Sequence, residues 1–244
     1  MEIDRVSPTK RPPGAAALRQ SWLELLFLHW AVPVEVLRPL VPRRLEIDTY
    51  EGRAYVGLVP FTMTGVRPVW SPAIPGVSDF HEVNVRTYVH QGGREPGVWF
   101  LSLDASSRVA VLVARATYHL PYRFARMSLT RGPEEEVHYS SERLWPGPTP
   151  ARCAMRYRPG GPVAAAAPGS LEHFLAERYV LYAERRGRLL RGRVHHSPYP
   201  LQAARVSDLE ESLVAAAGVP RGSEPPFAHY AKGVSVEVFA LTAC

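Results

Sequence analysis

Glu82, Asn84, Arg86 and Tyr88 occupy alternate positions of the segment Phe80-His81-Glu82-Val83-Asn84-Val85-Arg86-Thr87-Tyr88-Val89. Successive side chains of a strand point to opposite faces, so an acid, an amide, a guanidinium and a phenol fall in one row behind Phe80. The other row, His81, Val83, Val85, Thr87 and Val89, is almost wholly apolar. Arginine presents a planar fork suited to a carboxylate, and a buried glutamate with a raised pKa can exchange protons near neutrality. If the polar row looks outward, it is an ordinary solvated face. If it looks into an enclosed space, it is either a binding site or a structural Glu–Arg pair, since buried charge needs pairing.

Other residues could join this chemistry. Tyr122 beside Arg123 places a phenol next to a guanidinium, a pair that can donate hydrogen bonds to an oxyanion; the bland alternative packs Tyr122 under a helix and leaves Arg123 on the surface. His29, Tyr179 and Tyr182 are interior candidates. His195 and His196 are neighbours on an expected strand and face opposite sides, so one of them points inward, and His195 is taken as the ligand-side candidate. No two histidines have the i, i+4 spacing of a zinc-binding helix, and no metal site is expected. There is no Gly-x-Ser-x-Gly elbow, and Gly92-Gly93 and Gly160-Gly161 read as turns rather than phosphate loops. No cofactor is expected.

These residues need a scaffold. The 244-residue chain is 46% hydrophobic and 21% charged, as expected of a globular protein with a sizeable core. Its formal charge is +6, and its sequence pI is near 9.5. The arginines are spread along the chain, and the cluster from Arg185 to Arg193 reads as a solvated hairpin, so nucleic acid is not an expected partner. Two cysteines, Cys153 and Cys244, suggest free thiols and a cytoplasmic protein. No apolar run is long enough to span a bilayer, and no membrane association is expected. Residues 1–18, polar and proline-rich, read as a flexible tail, and 19–244 as a single domain.

Along that domain, Arg19 to Trp30 reads as an apolar strand and Val34 to Leu40 as a short proline-flanked helix. Leu45–Tyr50 and Arg53–Thr64 form a hairpin about Glu51-Gly52. The polar-faced strand pairs with Gly97–Leu103. Ser106 to His119 shifts to helical spacing, with Ser106 or Ser107 as cap. Strands follow at Phe124–Thr130, Val137–Ser141 and Arg152–Tyr157, then a loop over Pro159–Gly169. Ser170–Glu177 is a short helix with half a capping box. Tyr179–Ala183 and Leu189–His195 form the basic hairpin, Asp208–Ala217 an amphipathic helix closed by Gly218, and Val234–Leu241 a last strand. Hairpins dominate, so the ordering predicts an antiparallel α+β barrel.

Several stretches resemble the YqjF-like family of uncharacterised bacterial proteins, DUF2071. They include Trp22 through Pro33, Leu45-Glu46-Ile47-Asp48-Thr49-Tyr50-Glu51-Gly52, Val59-Pro60-Phe61, Glu82 through Val89, and Gly97 through Ala105. Leu120-Pro121-Tyr122-Arg123, Arg178 through Tyr182 and Val194-His195-His196-Ser197-Pro198 continue the likeness, which runs over roughly residues 19 to 242. That family is placed in the acetoacetate decarboxylase-like superfamily. The resemblance implies an α+β fold with a mostly antiparallel closed β-barrel of the acetoacetate decarboxylase-like type, a few short helices packed outside, and a polar interior. It favours the inward choice for Glu82, Asn84 and Arg86.

Decarboxylases of the superfamily carry a Gly-x-Pro-Lys-Lys segment whose first lysine forms a Schiff base. Here Tyr122 stands where that amine is expected and Arg123 where its neighbour is. The only lysines are Lys10 and Lys232. The expected function is therefore binding of a small carbonyl or carboxylate compound in a polar cavity. A non-Schiff-base lyase or proton-transfer step by Glu82, with Arg86, Tyr122 and Arg123 assisting, would be the catalytic form; a non-catalytic binding or sensing protein is the alternative. A homo-oligomer is compatible with the superfamily.

Overall fold

The computed structural model describes residues 3–147, 149–224 and 226–244. The chain opens with β1 (Leu18–Val32), α1 (Val34–Leu37), β2 (Glu46–Ile47), β3 (Ala54–Pro68), β4 (Phe80–Gln91) and β5 (Arg94–Ala105). Then come α2 (Arg108–Thr117), β6 (Tyr122–Arg131), β7 (Val137–Trp145), β8 (Arg152–Ala164) and α3 (Leu171–Ala176). It closes with β9 (Val180–Arg185), β10 (Arg188–His195), β11 (Leu201–Glu211), α4 (Leu213–Ala216), β12 (Phe227–Val238) and β13 (Thr242–Ala243). The fold is α+β and mostly strand.

The strands form one curled sheet in the order β13-β10-β9-β5-β6-β7-β8-β11-β12-β1-β3-β4-β2, with further pairings β10–β12 and β4–β5. Most neighbours are antiparallel; β5 runs parallel to both β6 and β9. The result is a partial ring whose thinnest seams are β10–β12, joined at Val194↔Val238 and His195↔Glu237, and β5–β9, joined at Val98↔Leu181 and Trp99↔Tyr182. At the second seam Gly97 has no substitute: a Cβ there would lie 2.5 Å from the Val180 carbonyl oxygen.

Both faces of the central strands are covered, which explains why residues 25–30 of β1 are buried without a break rather than alternately. Val83 and Val85 of β4 pack with Leu26, Leu28 and Tyr157 into one core, toward β7 and β8. Phe61 and Phe80 look the other way, into a second core with Leu25, Phe27 and Leu103. A register shift between Leu23 and Leu28 in the β1–β3 pairing, with Glu24 at φ 56°, bends β1 so that it serves both. Glu24 is held there by Tyr230 at 2.9 Å and Arg131 at 2.5 Å.

The expected helix over Asp208–Ala217 is a correction. Only Leu213–Ala216 is helical, and residues up to Glu211 belong to β11, which pairs with β8 from Leu201↔Ala164 to Glu211↔Cys153. Long-range pairing outweighs the local helical spacing there. The same partnership extends β8 through Gly160 and Gly161, where a loop was expected. The hairpin expected of Leu45–Tyr50 and Arg53–Thr64 does not form either: β2 pairs with β4 at Glu46↔His90 and Ile47↔Val89, and only an isolated bridge, Tyr50↔Arg53, spans the Glu51-Gly52 turn. Other local signals hold. Ser107 caps α2 through Ala110 N–H at 3.2 Å, and Ser170 caps α3 through His173 N–H at 3.1 Å. Arg186 and Gly187 take left-handed conformations at the tip of the β9–β10 hairpin.

The segment before β1 lies against the body: Arg5 pairs with Asp48, and Arg11 with Glu237 at 2.6 Å. No helix among the described residues is long and apolar enough to cross a membrane.

Candidate functional site

The curled sheet encloses a cavity of about 190 Å³, walled by β1, β3, β4 and β5 and covered at one end by α2. β4 contributes the polar strip. Glu82, Asn84 and Arg86 all line the cavity, and Tyr122, the first residue of β6, reaches in from the parallel neighbour of β5. All four are buried.

Glu82 is 2% exposed and accepts a hydrogen bond from the Tyr122 hydroxyl at 2.7 Å. Burial pushes its carboxyl up to about 8, against the smaller lowering by hydrogen bonds from Tyr122 and Asn84. It is therefore largely a neutral acid at pH 7. Tyr122 itself is pushed well above the usual phenol range by burial and by the carboxyl beside it. It serves as a hydrogen-bond donor, not as a base. The amide of Asn84 is turned to Glu82, and its Oδ1 has no partner.

Arg86 lies deeper. Its Nη2 donates to the Leu175 carbonyl at 3.2 Å, and its guanidinium stands 5.6 Å from the Phe27 ring and 5.8 Å from the Tyr88 ring. Its Nε has no partner, and among the described residues no carboxylate pairs with it. The Glu82–Arg86 pair open to the sequence does not form. Leu175 belongs to the last turn of α3, where carbonyl oxygens carry partial negative charge. That turn also receives Arg178: its Nε donates to Phe174 O at 2.7 Å, and its Nη1 pairs with Asp48 at 2.8 Å. So Arg178, at the cavity floor, is matched by a carboxylate and Arg86 is not.

The remaining sequence candidates separate. His29 and Tyr88 meet beneath the cavity rather than in its wall. Tyr88 donates to Leu175 O at 2.7 Å and is joined to His29 Nε2 at 2.6 Å, so Nε2 carries the proton. Burial, then Arg86, holds His29 well below the usual imidazole range, and it is neutral. Gly57 makes room for the ring: a Cβ there would stand 2.9 Å from His29 Cδ2. Tyr179 binds Glu177 at 2.6 Å, behind the wall. Tyr182 donates to Glu95 O at 2.8 Å and lies on the outer side of β9 with Arg123.

Arg123 faces away from the cavity, as strand alternation requires of the residue after Tyr122, and donates to Pro146 O at 2.9 Å. His195 is only half-buried, pairs in register with Glu237 and faces outward. His196 is the inward member, stacked 4.4 Å from Tyr179 and tilted against Tyr199 at 4.4 Å. Five further polar-bearing residues of the lining, Gln20, Trp22, Tyr118, Arg178 and Tyr199, were not among the candidates. Alternation along Arg19–Trp30 could have flagged Gln20 and Trp22. Nothing local distinguishes Tyr199, which lies outside any strand. Neither lysine lines the cavity, Lys232 being exposed on β12. Among the described residues no cluster of three His, Cys, Asp or Glu side chains is placed to hold a metal ion.

This geometry can be set beside known proteins. The family model DUF2071, "Uncharacterized conserved protein (COG2071)", matches residues 19–235. The uncharacterized protein YqjF of Bacillus subtilis (strain 168) is 40% identical over 230 residues, covering 94% of this chain and 93% of that one. Among solved structures, the enduracididine biosynthesis enzyme MppR complexed with pyruvate is similar with a TM-score of 0.61 at 12% identity, over 96% of this chain and 91% of its own. Acetoacetate decarboxylase from Legionella pneumophila is similar with a TM-score of 0.62 at 11% identity, over 97% and 92%. At such identities the likeness is one of fold.

Proposed function

We propose, from the premise that this chain belongs to the DUF2071 family and has the fold of acetoacetate decarboxylase-like proteins, that its strands close a barrel around a site for a small carbonyl or carboxylate compound. The observation that carries this reading is the imbalance of charge. Arg86 is buried without a carboxylate partner among the described residues, and the nearby acid, Glu82, is largely neutral at pH 7. An unpaired guanidinium in a low-dielectric cavity is costly, and an anionic guest would supply its counter-charge. Arg86 Nε is a donor with no partner for such an anion, while Asn84 Oδ1, an acceptor, can take a hydrogen bond only from a donor group of the guest.

The catalytic form of the reading is proton transfer without a covalent amine. A guest held by Arg86 would present its carbonyl to Glu82 and Tyr122. The protonated Glu82 gives its proton to a developing enolate or alkoxide and becomes the carboxylate, which the Tyr122 hydroxyl then holds. A carboxyl poised near 8 suits both directions of that transfer. The MppR structure was solved with pyruvate, a compound that carries both groups. The domain would be one unit from residue 19 to 244, acting in the cytoplasm on a small molecule.

The test is Glu82→Gln in the full chain, after native mass spectrometry of small molecules released from the purified protein has supplied a guest. Loss of turnover with affinity retained supports proton transfer. Affinity lost by Arg86→Ala, with no turnover found for the intact protein, leaves a binding or sensing role. Retained affinity in Arg86→Ala overturns the site.

A further inference from the structure

Glu82, Asn84 and Arg86 occupy a single strip along β4, and most of the surrounding wall is hydrocarbon: Leu25, Phe61, Phe80, Phe100 and Leu103 face the same space. The strip also has a direction. Glu82 is in register with Ala105, the last residue of β5, and α2 begins three residues later at Arg108. Arg86 is in register with Phe100 and touches the carbonyl of Leu175, at the opposite end from α2. Running from the floor toward α2, the cavity therefore presents a guanidinium, then the amide and the acid–phenol pair, then a mostly apolar end in which Gln20 and Tyr118 are the polar members. At the α2 end Val113 both lines the cavity and is 54% exposed, so the apolar end is the one that meets solvent.

We propose that the guest is an amphipathic monocarboxylate: its carboxylate lies deep against Arg86, and an alkyl or aryl group extends past Glu82 and Tyr122 toward α2. This rests on the carboxylate site argued above and adds the substrate class. A polyhydroxylated acid would set hydroxyls against the Phe61, Phe80 and Phe100 wall, where they lose water and gain no hydrogen bond. An apolar chain gains by the same burial. The cavity volume is more than ten times the roughly 10–15 Å³ that a single water requires, so there is room for a chain beyond the headgroup.

The experiment is isothermal titration of the full-length protein with straight-chain monocarboxylates from acetate to decanoate, with octanamide and gluconate as controls. Each added methylene is expected to tighten binding about three- to fourfold until the tail reaches the α2 end, where the gain stops. Val113→Asp, at an exposed position, is expected to weaken octanoate about tenfold while butyrate is unaffected. A series flat in chain length, or gluconate binding more tightly than octanoate, would overturn the amphipathic class and leave the carboxylate site standing. Octanamide binding as well as octanoate would overturn the carboxylate site instead, and no binding by any acid would overturn both.

Discussion

Two buried arginines on opposite sides of the same strands are treated very differently. Arg143 of β7 meets Asp104 of β5 in a two-pronged pair, Nε to Oδ2 at 2.9 Å and Nη2 to Oδ1 at 2.8 Å, with both side chains almost wholly buried. Arg86 of β4 is as deeply placed, yet it has one backbone carbonyl, two aromatic faces and an idle Nε. The first arrangement is complete: geometry and charge are both satisfied, so nothing is left for a guest to do. The second is complete only with a guest. Burial of a charged residue alone does not point to function; burial without a partner next to open space does.

The sharpest way to break this contrast is to open the complete pair. Asp104→Ala strands Arg143 in the core and should cost about 3–5 kcal/mol of stability, read by urea denaturation. Arg86→Met should behave oppositely, leaving the unliganded protein as stable or slightly more stable, because it removes an unpaired charge. That same variant should weaken carboxylate binding by roughly thirtyfold or more, the scale of truncating one member of a buried charged contact. If Arg86→Met destabilises as much as Asp104→Ala, the two regions are alike and the site loses its main support.

The acid on the open side adds a pH signature. Glu82 is raised from 4.5 to about 8 in the folded protein, so the native state holds a proton that the unfolded chain releases above pH 4.5. Its contribution to stability is fully present below 4.5 and is lost as pH rises through about 8, at a cost of a few kcal/mol across that window. Glu82→Gln, which keeps the neutral shape, should flatten that slope when denaturation midpoints are compared from pH 5 to pH 9. An unchanged slope would assign the acidity elsewhere. The smallest effect belongs to Tyr122→Phe. Loss of one hydrogen bond to Glu82 should cost about 1 kcal/mol and move the Glu82 transition upward, since that bond lowers its pKa. A downward move, followed by carboxyl NMR, would contradict the assigned donor.

Much of this site can be read from local sequence. The period-two pattern of Phe80–Val89 places Glu82, Asn84, Arg86 and Tyr88 on one face, and the structure keeps them there. The motif Leu120-Pro121-Tyr122-Arg123 marks Tyr122, but alternation sends Arg123 outward, so treating the pair as one unit joined residues that face apart. His195 and His196 show the same limit: one had to face inward, and only the pairing of His195 with Glu237 decides which. Asp208–Ala217 failed for a related reason, as its strand character comes from β8, about fifty residues away in the chain.

What the chain alone determined is what a few neighbouring residues control: the alternation of β4, the serine caps of α2 and α3, the tight Arg186-Gly187 turn, and an amine-poor composition with Lys10 and Lys232 as its only lysines. Tertiary structure decided which charges are matched. Asp104 meets Arg143 across 39 positions and Asp48 meets Arg178 across 130, while no acid among the described residues is brought to Arg86. The physical reason is that charge pairing and enclosure depend on the register of strands distant in sequence. A side chain's type is local, whereas its partner, its dielectric surroundings and the space before it belong to the assembled sheet.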